Sequence, residues 1–114
     1  VMGCFLLVAE AAFHEAIGYA AKEGVTPEKL ARYWPSALDS VRRHIDRATA
    51  AIPAGNLSTS EAPLRLYARS FALFEEAMAD AGASNHLVEA THRRMRKAMA
   101  AGDGELGYMV LHRH

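Results

Sequence analysis

Cysteine is nearly absent from this sequence: Cys4 is the only one. An internal disulfide is therefore excluded, and a reducing compartment is permitted. Net charge is absent too, because thirteen basic residues cancel thirteen acidic ones. Such a chain has no general electrostatic pull toward nucleic acid or an anionic membrane, so neither is expected as a partner. No uninterrupted apolar run reaches the length of a bilayer span, and residues 1–9 lack the basic flank of a signal peptide. Valine, isoleucine and threonine are sparse and alanine is abundant, which disfavours strand and favours helix. With 114 residues there is room for one core and not for two.

What is present reads as four helices and a tail. The first spans residues 2–23 and stops at Gly24, a residue suited to a left-handed cap. Its first nine residues carry no charge, so it has no face to give to water and needs cover on every side. The stretch reads as a helix already under way, and the protein is expected to begin far upstream of Val1. Thr26-Pro27-Glu28 opens a second helix, with threonine as a possible cap and proline at the first position. Leu30, Trp34, Leu38, Val41, Ile45 and Ala48 recur along it at helical spacing. Pro35, with no N–H to donate, breaks or kinks it after two turns. Asp39 with Arg43, and Arg42 with Asp46, sit four apart as exposed pairs. Pro53-Ala54-Gly55-Asn56 ends it.

A third helix is predicted over residues 61–81, stopping at Gly82. Tyr67, Ser70, Phe71, Phe74, Met78 and Ala81 form its buried stripe; Arg65, Arg69, Glu76 and Asp80 form its wet one. Ser84 or Asn85 caps a fourth helix that runs to about Ala101, with Val88, Thr91, Met95, Ala98 and Met99 inward. Residues 106–111 are long enough for one more turn, and His112 and His114 lie on a frayed end.

Chemistry is hard to find. Glu10 and His14 share a helical face, but two ligands do not close a metal site, and a third from His44 or His92 would need a fold the spacing does not demonstrate. No metal is expected, and His14 reads as a hydrogen-bonded histidine at a packed interface. The basic run His92-Arg93-Arg94-Met95-Arg96-Lys97 has no interleaved aromatics and reads as a solvated helix face. Gly102-Asp103-Gly104 with Gly107 follows a helix, where a dinucleotide loop needs a preceding strand, so it reads as a cap and turn. Cys4, without a basic neighbour, behaves as a small hydrophobe. No nucleophile–base pair is visible.

The ordered set of segments resembles a known family. Phe13-His14-Glu15-Ala16, Ala21-Lys22-Glu23-Gly24-Val25, Ile52-Pro53-Ala54-Gly55-Asn56-Leu57, Glu76-Ala77-Met78-Ala79-Asp80-Ala81-Gly82 and the closing run from Ala98 to Tyr108 are similar to the C-terminal domain of NADPH-dependent imine reductases and reductive aminases, in the β-hydroxyacid dehydrogenase superfamily. The likeness covers essentially the whole chain. It implies an all-α dimerisation domain like the C-terminal domain of 6-phosphogluconate dehydrogenase-like enzymes, occupying residues 1–114.

It further implies a separate Rossmann domain that holds NADPH, a cytoplasmic parent enzyme, and a homodimer built through the first helix. The family's proton donor, aspartate or tyrosine, would fall upstream of Val1. No catalytic residue and no cofactor site are therefore expected in this chain, and alone it should not be catalytic. The hydroxyacid dehydrogenases' asparagine position falls near Gly3, which disfavours a hydroxyacid substrate. Leu6 stands where imine reductases often carry an aromatic residue. Carried over by position, Met2, Leu6, Ala37, Leu66, Tyr67 and Ser70 would line the pocket of an imine, or of the amine and carbonyl that form it. The competing reading is a non-enzymatic helical module for dimerisation or ligand sensing.

Overall fold

The computed structural model describes residues 1–114 and is all-helical. Helix α1 (Met2–Lys22) is followed by a short α2 (Pro27–Leu30) and a 3-10 turn (Ala31–Tyr33) that leads into α3 (Trp34–Ala51). Helices α4 (Leu64–Asp80) and α5 (His86–Ala100) come next, and a 3-10 helix (Tyr108–Arg113) closes the chain. The expected second helix is thus two helices. Pro35 sits in the first turn of α3, where a missing N–H costs nothing, and the 3-10 turn absorbs the change of direction. The expected third helix starts three residues late. Pro63 is extended, with ψ 161°, and the residue preceding a proline is pushed out of the helical region, so the helix begins only at Leu64.

The glycine stops are as read: Gly24 has φ 74° and Gly82 φ 67°, both left-handed. The threonine and asparagine caps are not. Thr26 and Asn85 occupy the N-cap positions of α2 and α5, but neither side chain bonds an amide.

The core is small and lies at one end. It comprises Leu57, Leu64, Ala68, Met95, Ala98, Val110 and Leu111, with Ile52, Tyr67, Phe71 and Met99 packed around it. Leu57, in the segment between α3 and α4, is therefore a core residue. The C-terminal segment is also not frayed. Val110 and Leu111 are buried, and His114 is held to Asp103 at 2.7 Å. Backbone bonds weld this end together. Leu64 and Arg65, at the amide-rich start of α4, donate to the carbonyls of Leu106 (2.8 Å) and Gly104 (2.9 Å). Gly107 donates to the Leu57 carbonyl at 2.8 Å. A methyl group on Gly107 would stand 3.2 Å from the Thr59 side chain, a tight contact that the segment at residue 59 would have to shift to relieve.

Helices α4 and α5 form the packed pair. The wet stripe of α4 is exposed as expected, but Phe74 from its apolar stripe is half exposed, and Leu64 and Ala68 take its place in the core. The basic run on α5 is not wholly solvated either. His92 is buried, with its Nδ1 2.8 Å from Glu75 Oε1 and from an Arg96 nitrogen, and it serves one of them at a time. A helix with three apolar positions per two turns places the residue between Val88 and Met95 at the interface, whatever its charge.

Helix α1 has no buried residue, and neither has α3. Met2 is 71 % exposed, Leu7 65 % and Leu38 65 %, and the Leu38–Val41–Ile45 stripe that recurs at helical spacing is open. Averaged over a window of 18 residues, α1 is apolar enough to cross a bilayer, although no uninterrupted apolar run in it has that length. Its two central carboxylates, Glu10 and Glu15, oppose that use, since a charge at a span's centre costs about 2.5–3.5 kcal/mol. The chain extends over 43 × 27 × 26 Å with a radius of gyration of 15.1 Å, against about 13 Å for a compact domain of this length. Its accessible surface is 7713 Å², about 1,600 Å² above the roughly 6,100 Å² of a compact monomer of this mass.

The closed end should carry most of the intrinsic stability. Leu64→Ala and Met95→Ala, each removing a side chain with no exposure, should each cost about 2–5 kcal/mol in chemical denaturation. Leu38→Ala, tested under conditions where the chain is monomeric, should cost less than about 1 kcal/mol, because an exposed side chain leaves no cavity.

Candidate functional site

Three of the concave regions on the surface bear on the expected pocket residues or on the orientation of the helices. The first is a groove of about 600 Å³ between α1 and α3, lined only by apolar residues. Phe5, Leu6 and Phe13 form one wall; Trp34, Ala37 and Leu38 form the other. Phe13 meets Trp34 edge-to-face at 5.1 Å, which ties the two helices where they are nearest. Leu6 and Ala37, both expected to line a pocket, do share this groove. Met2 lies one helical turn before Leu6, near the exposed end of α1.

The second region, of about 400 Å³, lies where the C-terminal half of α1 meets α4 and α5. Tyr19, Phe71, Phe74 and Leu87 give it an apolar wall, and Glu15 is its one charged residue. The Glu15 carboxylate accepts from the backbone N–H groups of Leu87 (3.0 and 3.2 Å) and Val88 (3.1 Å). These are orphan amides in the first turn of α5, at the positive end of its dipole. A carboxylate from α1 therefore does what neither Ser84 nor Asn85 does. Sequence reasoning missed this, since the partners lie 72 and 73 residues apart and no local spacing announces them.

The third region is polar and lies between α3, the segment at residues 56–62, and the terminal 3-10 helix. It has a volume of about 190 Å³. Tyr67 lines it beside His44 and Tyr108. Tyr108 is the centre of this aromatic group, edge-on to Tyr67 at 5.2 Å and to His44 at 5.6 Å. Burial raises the Tyr108 pKa above the ordinary phenol value; the positive charge of Arg94 opposes this and Tyr67 adds to it. The phenol is thus held neutral, as a hydrogen-bond donor.

The other two expected pocket residues follow from Tyr67. Leu66 is exposed on α4, and Ser70 donates from its hydroxyl back to the Leu66 carbonyl at 3.2 Å. Within one chain the six residues therefore fall into two sets: Leu6 and Ala37 in the α1–α3 groove with Met2 exposed one turn before it, and Leu66, Tyr67 and Ser70 on α4. Nowhere do three metal-ligating side chains converge. Cys4 is exposed. Asp39 pairs with Arg43, and Arg42 with Asp46 at 2.8 Å, on the solvent side of α3. The Gly102 and Asp103 amides donate to the Met99 and Ala98 carbonyls and the Gly104 carbonyl accepts from Arg65, so this glycine turn closes α5 and joins it to α4.

The chain matches the family described as NADPH-dependent reductive aminase-like, C-terminal domain, over residues 2–114. Among solved structures, an imine reductase from Pseudomonas sp. superposes with a TM-score of 0.94 at 25 % identity, covering 98 % of this chain and 39 % of that one. An imine reductase from Bacillus cereus BAG3X2 gives 0.92 at 17 % identity, with 98 % and 39 % covered. A reductive aminase from Aspergillus terreus, solved in complex with NADPH4, cyclohexanone and allyl amine, gives 0.89 at 15 % identity, with 96 % and 39 % covered. This chain thus spans about two fifths of the length of the structures it resembles. No curated protein matches it.

The Tyr108 environment is open to direct test. Burial favours its neutral form in the folded state, so its folded pKa lies above its unfolded one. The stability this contributes is present below the unfolded value and is lost as pH rises through the folded one. Phenolate absorbance should show one tyrosine ionising above the ordinary range, and Tyr108→Phe should abolish that late step and flatten the alkaline loss of stability. An unchanged titration curve in the variant would contradict the assignment.

Proposed function

The chain belongs to the NADPH-dependent reductive aminase-like C-terminal domain family, and on that premise we propose that it is the dimerisation and substrate-pocket domain of an enzyme that reduces imines. The observation that carries the proposal is the uncovered apolar surface of α1 and α3. An excess of about 1,600 Å² on each chain corresponds to the size of an obligate subunit interface and exceeds a crystal contact or a transient encounter. The occupant best matched to it is a second copy of the chain, whose own α1 has the same unmet need.

NADPH would be held by a Rossmann domain outside this chain, and when bound it supplies the hydride. No residue here forms the strand–glycine loop–helix unit that grips a dinucleotide, and no proton donor stands in the apolar groove. The contribution of this chain is positional. Met2, Leu6 and Ala37 offer an apolar wall that excludes water and fits the hydrocarbon body of an imine. Leu66, Tyr67 and Ser70 offer a second wall with one phenol that can donate to nitrogen. Hydride transfer demands a carbon held about 3–3.5 Å from the donor, so a wall acts through distance and angle. The separation of the two sets within one chain fits a site assembled from both chains of a dimer.

Sedimentation at micromolar concentration should give a dimer, and Phe5→Glu should dissociate or unfold it by placing an unpaired charge in the interface. A well-folded monomer at that concentration would overturn the dimer. In the full-length enzyme, Leu6→Ala and Tyr67→Phe should each change kcat or KM for a cyclic imine by about tenfold or more, in line with the cost of misplacing a reacting group. If both variants lose stability while the folded fraction keeps its kinetics, the residues are packing residues and the pocket assignment fails.

A further inference from the structure

Beside Tyr67, the α3–α4 cleft holds more hydrogen-bonding capacity than the fold consumes. His44, Tyr67 and Tyr108 all line it, and none of their side chains hydrogen-bonds to another part of the chain, although His44 is only partly exposed and Tyr108 is largely covered. Their rings lock one another edge-on, which fixes where the polar atoms can be. Arg47 lies on the same wall, one helical turn beyond His44 on α3. Its partner is Glu61, at a long 3.4 Å, and both side chains are about half exposed. A half-exposed ion pair at that separation is weak and easily exchanged. Arg43, also on this wall, is engaged by Asp39 on the outer side of α3.

We infer that this cleft is a subsite for a carboxylate group carried by the substrate, with Arg47 as its cationic partner and the Tyr67 and Tyr108 hydroxyls and the His44 ring as neighbouring donors. The inference rests on the reading that Tyr67 faces the substrate, and it narrows the substrate class to imines bearing a carboxylate, such as those formed from a 2-oxo acid or a cyclic imino acid.

The part of the cleft that reaches the segment at residues 56–62, about 190 Å³, has room for one planar group. The part along Ser40, Arg43 and Arg47, about 580 Å³, lies within the roughly 300–1,000 Å³ of a small-molecule site and leaves room for the rest of a substrate beside it. The donor set supports a carboxylate over a phosphate. A guanidinium presents two parallel N–H groups that match the two oxygens of a carboxylate, whereas a dianion would meet the Glu61 charge with only one readily released cation to offset it. Glu61 serves as the internal occupant that a ligand carboxylate displaces. The neutral, donor state of Tyr108 suits an acceptor-only ligand. The carboxylate takes no part in bond making: hydride adds to the imine carbon and a proton to nitrogen, while the carboxylate is held at a distance from both.

The test uses the full-length enzyme with two substrates that differ by the group in question, 1-pyrroline and 1-pyrroline-2-carboxylate, and calorimetry with pyrrole-2-carboxylate as a non-reacting probe. Arg47→Met should lower the ratio of kcat/KM for the carboxylated over the neutral imine by about tenfold and weaken the probe by a similar factor. Glu61→Gln, which removes the competing carboxylate, should move both in the opposite direction. A ratio and a probe affinity that stay within twofold in both variants overturn the inference. The probe reads the subsite without turnover, so the outcomes separate: an enzyme that binds pyrrole-2-carboxylate through Arg47 yet reduces neither imine retains the subsite and loses the imine-reductase reading. Reduction of 1-pyrroline with no Arg47-dependent probe binding does the reverse.

Discussion

A helix that is apolar on all sides must be covered on all sides, and this chain has too little mass to cover α1. Ten of 114 residues are buried, and none of them belongs to α1 or α3. The reason lies in where the interior material sits. The buried aliphatic residues, Leu57, Leu64, Met95, Val110 and Leu111, come from the second half of the chain, and they close on one another. Nothing is left to turn toward residues 1–9. The excess surface is thus a consequence of the distribution of side chains along the sequence, and it exists before any question of function arises.

Two contacts orient the uncovered half. The Glu15 carboxylate grips the first turn of α5 and ties α1 to the packed end, and Phe13 meets Trp34 edge-to-face and ties α3 to α1. Each is cheap in sequence, one or two residues, and each acts near the middle of α1. The first half of that helix is left projecting while the second half is oriented. The carboxylate bond is the more informative of the two. A charged group satisfied by two helix-terminal amides is stabilised by the dipole as well as by hydrogen bonds, and truncating it would leave two orphan donors in an apolar pocket. The direction of α1, and with it the shape of the groove that carries Leu6 and Ala37, depends on that bond.

Much of the fold was legible and most of the site was not, for a physical reason. Helix positions follow from periodicity, and stops follow from glycine geometry, both of which are local. Gly24, Gly82, the wet stripe of α4 and the inward set on α5 were readable for that reason. Pro63 was readable in principle, since the restriction it imposes on residue 62 is also local, but the apolar pattern drew the helix across it. The burial of His92, the order of the C-terminus and the capping by Glu15 depend on contacts between residues 17, 11 and 72 apart. Periodicity carries no information about such pairings. The open stripe on α3 shows the complementary failure: a pattern identifies a face that requires cover and cannot say whether the same chain supplies it.

Closure of the C-terminal end has a consequence for the polar cleft. Tyr108 reaches Tyr67 because the Gly107 amide is bonded to Leu57 and the Gly104 and Leu106 carbonyls are bonded to the start of α4. Those bonds tie residues 57, 64–65 and 104–107 into one unit, so the aromatic group moves only if the core opens. The Tyr67–Tyr108 side of the polar cleft is therefore preorganised by the most stable part of the chain, whereas its α3 side, with His44 and Arg47, and the apolar groove belong to the least covered part. A recognition element for a charged group benefits from the first arrangement, because donors held in place lose little freedom when an acceptor arrives. An apolar wall tolerates the second, because contact with a partner surface sets its shape at the moment of association.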